Sequence, residues 1–174
     1  CCQGFSVKSG EEIYIPFHET FLHFTSTAFG GYVVLRKNIN KEKDAKIQAM
    51  LKEIGFEGIF SAEFIIDKSG EYYFTEINLR HDGFSYFTTS GGGNLPYLFC
   101  KSTLNGFIDL TDVRLKNKVV GLNEMYHYGK AVKTGDISLW KFFWQFFTAD
   151  SHILFNVKDI KPLLGIFTRR LFNR

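Results

Sequence analysis

Cysteine is scarce in this sequence: Cys1, Cys2 and Cys100 are the only three in 174 residues. An odd count with two adjacent at one end is no disulfide framework, and no CxxC or Cys/His spacing suits a structural zinc site. The thiols therefore read as reduced, which suggests a cytoplasmic protein. Long apolar runs are missing too. The longest, Ile137 to Phe147, is broken by Lys141 and Gln145, whereas a helix needs about 20 apolar residues to span a bilayer. Charge excess is small: 21 Lys and Arg against 18 Asp and Glu leave +3, spread too evenly to favour nucleic acid as a partner. No composition shift marks a linker, and no internal repeat occurs. Phenylalanine, by contrast, is abundant, at 20 residues. The chain is 45% hydrophobic and 22% charged, an ordinary balance for a globular protein. Its first residue is Cys1 rather than Met, so the sequence is expected to start inside a longer protein.

The N-terminal third reads as β-structure: Phe5–Lys8, a Ser9-Gly10 turn, Glu12–Ile15 and, after Gly30-Gly31, Tyr32–Leu35. A helix follows. Asn40 can cap it, Glu42 and Asp44 suit its positive end, Ile47, Met50, Leu51 and Ile54 recur at helical spacing, and Gly55 can end it. Strict alternation from Phe60 to Asp67 predicts a strand, Asp67-Lys68-Ser69-Gly70 a turn, and Glu71 to Asn78 a second strand. Gly91-Gly92-Gly93-Asn94 precedes a helix over Leu95–Leu104. Val119 to Val132 reads as strand, Asp136 as the cap of an aromatic helix, and Asp159 as the cap of a final helix over Ile160–Phe172. The expected class is α+β, an antiparallel β-sheet flanked by helices, forming a single unit over 1–174.

Chemistry concentrates in the acidic hairpin. Glu76 and Asn78 are two apart on a strand and share a face. A four-residue loop, Asp67 to Gly70, pairs Ile66 with Glu71 and brings Glu63 to that face. A three-residue loop, Lys68 to Gly70, puts Glu63 on the other. In the first register two carboxylates and an amide oxygen converge beside Arg80, hard donors suited to Mg²⁺ shared with phosphate. The alternative is a solvated strand face.

The run from Gly55 to Phe64, followed by Asp67-Lys68-Ser69-Gly70-Glu71-Tyr72-Tyr73-Phe74-Thr75-Glu76-Ile77-Asn78-Leu79-Arg80, resembles the metal-binding end of ATP-grasp enzymes such as biotin carboxylase and the carbamoyl-phosphate synthase large subunit. Ser90 to Pro96 resembles the Gly-containing entry to the next helix in that family. The resemblance implies that Glu63, Glu76 and Asn78 hold Mg²⁺ and the ATP phosphates, with two ions and Mn²⁺ as a substitute, and that Arg80 contacts phosphate or substrate as a catalytic cation. His81 and Asp82 follow where substrate contacts lie.

The implied fold is the C-terminal subdomain of an ATP-grasp domain, with 1–112 as core and 113–174 as an extension. The implied activity is activation of a carboxylate or bicarbonate as an acyl phosphate for attack by an amine or ammonia, in the manner of carbamoyl-phosphate synthase. Cys1 to Asn40 holds only Lys8 and Lys37, so the ATP-binding lysines are expected on a missing N-terminal part of the same enzyme. The chain alone is then expected to be inactive. Nothing in the composition opposes a homodimer.

Other features are weaker. His18-Glu19-Thr20-Phe21-Leu22-His23 misses the HExxH zinc motif because its histidines are five apart, about 140° around a helix. Gly91-Gly92-Gly93 lacks the Lys of a phosphate-binding loop and reads as close backbone packing. The aromatic helix Ser138–Phe147 and the basic, apolar tail Leu163–Arg174 permit a different class, a non-catalytic binding or peripheral membrane module. Burial of those aromatics in a core is the favoured reading.

Overall fold

A computed structural model describes residues 1–23 and 31–165. Seven strands are present among them: β1 (Cys2–Val7), β2 (Glu12–Phe21), β3 (Tyr32–Lys37), β4 (Gly58–Ile66), β5 (Tyr72–Asn78), β6 (Lys118–Leu122) and β7 (Ser151–His152). The helices are α1 (Lys41–Glu53), α2 (Ser85–Ser90), α3 (Leu95–Asn105), α4 (Glu124–His127) and α5 (Leu139–Thr148), with a π-helical turn over Tyr128–Val132. The strand order is β5-β4-β1-β2-β3-β6-β7. The class is α+β, as expected, although β7 runs parallel to β6, so the sheet is mostly rather than wholly antiparallel.

The chain forms two compact units, Cys1–Thr20 with Leu35–Val119, and Phe21–Val34 with Val120–Arg174. In the first, the β5-β4-β1-β2 sheet is sandwiched. On one face Ile47 and Leu51 of α1 pack with Cys2, Ile15, Phe60 and Ala62. On the other, Leu95 and Leu98 of α3 pack with Phe5 and Val7. Alternation along β1 explains the split, since Cys2 and Phe5 lie on opposite sides of the pleat.

Both helices start as the sequence predicts. Asn40 Oδ1 accepts from Lys43 N at 3.0 Å, and Asn94 Oδ1 accepts from Tyr97 N at 3.3 Å. Each side chain satisfies one of the amides a first turn leaves unpaired.

Strand β2 runs through Pro16 to Phe21, beyond the expected end at Ile15. Pro16 survives because the β1–β2 register shifts there: Gln3 faces Phe17, but Phe5 faces Tyr14. A bulge is where a strand tolerates proline. Opposite it, Gly4 has no room for a side chain, because a Cβ would collide with the Tyr14 carbonyl and approach Ile15 and Phe60.

The second unit corrects two expectations. The strand expected over Val119 to Val132 stops at Leu122, because Asn123 Oδ1 accepts from Tyr126 N at 3.2 Å and starts α4. Ser138, not Asp136, caps α5, accepting from Lys141 N at 3.2 Å. Asp159 Oδ1 accepts from Lys161 N at 3.2 Å ahead of a helical turn over 161–165. The rest of the helix expected to Phe172 lies outside the described residues. No helix among the described residues is long and apolar enough to cross a membrane.

Candidate metal centre

The hairpin turn is built by Asp67, whose Oδ1 accepts from Ser69 N at 2.8 Å and Glu71 N at 3.0 Å. Asp67 N also donates to Glu71 O at 3.0 Å, and Gly70 takes the left-handed φ of 89° that the turn requires. This is the three-residue register. Carried straight through, it would leave Glu63 on the wrong face. The ladder shifts instead: Phe64 faces Phe74, whereas Glu63 faces Glu76, Ala62 faces Ile77 and Ser61 faces Asn78. Thr75 is the extra residue. Neither register expected from the sequence holds throughout, and the bulge restores by one residue what the turn takes away.

Residues directly opposite across a ladder share a face. Ser61, Glu63, Glu76 and Asn78 are therefore together, on the face away from α1. Asn78 Nδ2 donates to Glu76 Oε1 at 2.9 Å, which leaves the Asn78 carbonyl oxygen as an acceptor. Burial raises the Glu63 carboxyl above its usual range, and the Glu76 and Asp82 charges push the same way. Arg80 stands apart from the triad. Its Nη1 donates to the His81 carbonyl at 2.8 Å, and among the described residues it pairs with no carboxylate.

The same face continues across β1 and β2. Gln3 faces Ser61. One residue earlier, Glu19 N donates to Cys1 O at 2.8 Å, which sets Glu19 beside Cys1. Glu19 is 4% exposed. Its Oε1 accepts from Gln3 Nε2 at 2.8 Å and Thr88 Oγ1 at 3.1 Å, while Oε2 has no partner. Burial, with the Asp82 charge adding to it, pushes the Glu19 carboxyl up to about 8. Asp82, in the loop after β5, accepts from Ser61 Oγ at 2.8 Å and Phe84 N at 2.7 Å. Ser85 of α2 donates to Gln3 Oε1 at 2.6 Å.

In the sequence, Glu19 stands out only as part of the failed zinc motif. The signal available was an acid two residues after the apolar strand run Ile15-Pro16-Phe17, on the face of Phe17. The motif itself is dismantled by the fold. His18 is on a strand, its Nδ1 is 3.3 Å from Lys43 Nζ, and His23 Nε2 lies 2.8 Å from Gln145 Nε2. The glycine run serves packing, since a Cβ at Gly91 would press on the Phe17 ring and one at Gly92 would collide with the Arg114 carbonyl.

No family model matches the sequence. A D-aspartate ligase from Enterococcus faecium (strain Aus0004) is 36% identical over 72 residues, 41% of this chain and 17% of that protein. A Rhizobium etli pyruvate carboxylase crystallized without acetyl coenzyme-A shares the fold at a TM-score of 0.51 and 13% identity, over 68% of this chain and 13% of that one. The chain is related to ATP-grasp enzymes. The relationship is partial and at low identity, and the chain spans only 17% of the curated relative's length. The biotin carboxylase domain of a single-chain bacterial carboxylase aligns over 68% of the chain, with a TM-score of 0.46, 17% identity and 31% of that domain covered. ATP-grasp ligases use ATP and Mg²⁺, and the hard oxygen donors of Glu63, Glu76 and Asn78 suit that ion.

Proposed function

We propose that the full-length protein is a Mg-ATP-dependent ligase that joins a carboxylate (or bicarbonate) to an amine or ammonia, and that this chain supplies the metal-binding end of its site. The observation that carries the reading is the placement of Glu63 opposite Glu76, with Asn78 two residues on. Two facing carboxylates repel, and the raised Glu63 carboxyl registers that repulsion together with burial. A divalent cation between them would relieve it. Glu63, Glu76 and Asn78 would hold Mg²⁺, with Mn²⁺ able to replace it, and with two ions as the resemblance to ATP-grasp enzymes implies. Bound there, Mg-ATP supplies the phosphoryl group that turns a carboxylate into an acyl phosphate. Arg80, exposed and unspent on any described carboxylate, is free to meet phosphoryl charge.

The name of the curated relative, D-aspartate ligase, suggests an amino acid as one substrate, and a carbamoyl-phosphate synthase-like use of bicarbonate is the alternative chemistry. We take 1–112 as the core contribution and 113–174 as an extension, with ATP-binding lysines on a preceding part of the same cytoplasmic enzyme. Phosphate release by the full-length protein, assayed with D-aspartate, other amino acids, bicarbonate and simple carboxylates, tests the reading. Release that needs both substrates and falls with Glu76→Gln supports it. No ATP-dependent release with any pair overturns it.

A second reading has one observation behind it: on α5, Trp140, Trp144 and Phe147 are 86%, 71% and 79% exposed. A peripheral membrane module would sediment with anionic vesicles and lose that binding on Trp140→Ala with Trp144→Ala. Absence of sedimentation removes the reading.

A further inference from the structure

We propose a second cation site beside the first, made by Cys1, Glu19 and Asp82, that takes a borderline divalent metal of the Zn²⁺ class. It is independent of the ligase reading. One ligand atom from each residue lies within 4.8 Å of the other two. Cys1 Sγ is 3.8 Å from Asp82 Oδ2 and 3.3 Å from Ser61 Oγ. In a tetrahedral zinc site with bonds of about 2.3 Å to sulfur and about 2.0 Å to oxygen, the S···O edge is about 3.5 Å. The Cys1–Asp82 edge is within about 0.3 Å of that value, and the other edges, within 4.8 Å, would close by up to roughly 1.3 Å on binding.

A group of acids alone would mean little. The independent sign is Glu19, 4% exposed and with Oε2 unpartnered. A buried carboxylate oxygen without a donor costs free energy that native structures rarely leave unanswered. Among the described residues no Lys, Arg or His forms an ion pair with Glu19 or Asp82. Gln3 and Thr88 fix Glu19 through Oε1, Ser61 and the Phe84 amide fix Asp82, and the nearest positive charge is the Cys1 N-terminal ammonium, which donates to the Glu19 carbonyl at 2.9 Å rather than to its carboxylate. Such outer bonds orient metal ligands.

The donor set selects the ion. One thiolate among hard oxygens favours Zn²⁺ or Co²⁺ over Mg²⁺, which suits the all-oxygen triad at Glu63, Glu76 and Asn78. Three protein ligands leave one position of a tetrahedron open to a water or substrate atom.

Cobalt titration of the metal-free, full-length protein is the test. One equivalent should produce a sulfur-to-cobalt charge-transfer band in the near ultraviolet, and one equivalent of Zn²⁺ should erase it. Cys1→Ser should abolish the band. Asp82→Asn and Glu19→Gln should each weaken binding at least tenfold, the first serving if the second fails to fold. Glu63→Gln should keep the band. No band in the unaltered protein, or one that survives Cys1→Ser, overturns the proposal. An intact band in a protein without ATP-dependent turnover would remove the ligase reading and leave this site standing.

Discussion

At the scale of residues, Glu63 and Glu76 pull stability and activity in opposite directions. Facing like charges destabilise a metal-free hairpin by a few tenths of a kcal/mol to about 1 kcal/mol. Glu76→Gln removes the repulsion but keeps the shape, so the metal-free protein should melt slightly higher. On the proposed reading the same change removes a hard anionic ligand, and turnover should fall about 100-fold, the scale of losing one electrostatic contact to a transition state. Calorimetry and phosphate release on one preparation check both signs. A lower melting temperature together with unchanged turnover would contradict the placement.

Residue types also set how far the site could be read in the sequence. The shared face of Glu76 and Asn78 was legible because spacing by two on a strand fixes a face regardless of partner, whereas Arg80 lies beyond the end of β5 and apart from them. The face of Glu63 was not legible, since it depended on the hairpin register, and the bulge at Thr75 has no side-chain signature. Glu19 was hidden for another reason: its partners Gln3 and Thr88 are distant in sequence, and only pairing of β1 with β2 and the docking of α2 assemble them.

At the scale of elements, α1 was legible because cap, period and terminating glycine agree, and α3 because a Gly-rich stretch leads into an apolar run, whereas β2 extends past Ile15 through a proline that the bulge accommodates. The bulge depends on Gly4. Gly4→Ala drives a Cβ into the Tyr14 carbonyl, and overpacking of this kind costs about 1–3 kcal/mol. The melting temperature should drop by several degrees, with the loss seen equally in far- and near-ultraviolet dichroism.

Helix α4 gives the second unit a pH dependence. His127 is fully buried, its Nε2 lies 2.9 Å from Gln145 Oε1, and it is surrounded by the rings of His23, Tyr32 and Phe142. Burial lowers its pKa; the Gln145 bond opposes this, and the His23 and Lys141 charges lower it further. A histidine held below its unfolded value of about 6.5 contributes stability above that pH and loses it as the pH falls. The melting temperature should therefore decline from pH 7 to pH 5, and His127→Gln should flatten the decline. An equally steep profile in the variant would show that other groups dominate.

At the scale of the whole molecule, many of the first unit's lysines are paired away from the acidic face, and Arg80 is the cation next to it in sequence that is not. In the first unit Lys8 pairs with Glu12, Lys41 with Asp44, Lys46 with Glu42, Lys52 with Glu11, and Lys101 with Asp109 and Asp112. Lys43 is buried over the rings of Phe64 and Tyr72. These ammonium groups are committed elsewhere, while phosphoryl transfer requires cations and metal together around the transferring group. On the proposed reading the triad would hold a metal ion without ordering the phosphates for attack, and positioning is where most of the rate arises. The 174-residue chain, purified by itself, should therefore bind Mn²⁺ in a manner lost with Glu63→Gln, yet release phosphate from ATP no faster than buffer. Steady turnover by the isolated chain would mean that the committed lysines rearrange on binding ATP, and that the phosphate-holding cations need not come from any other part of the enzyme.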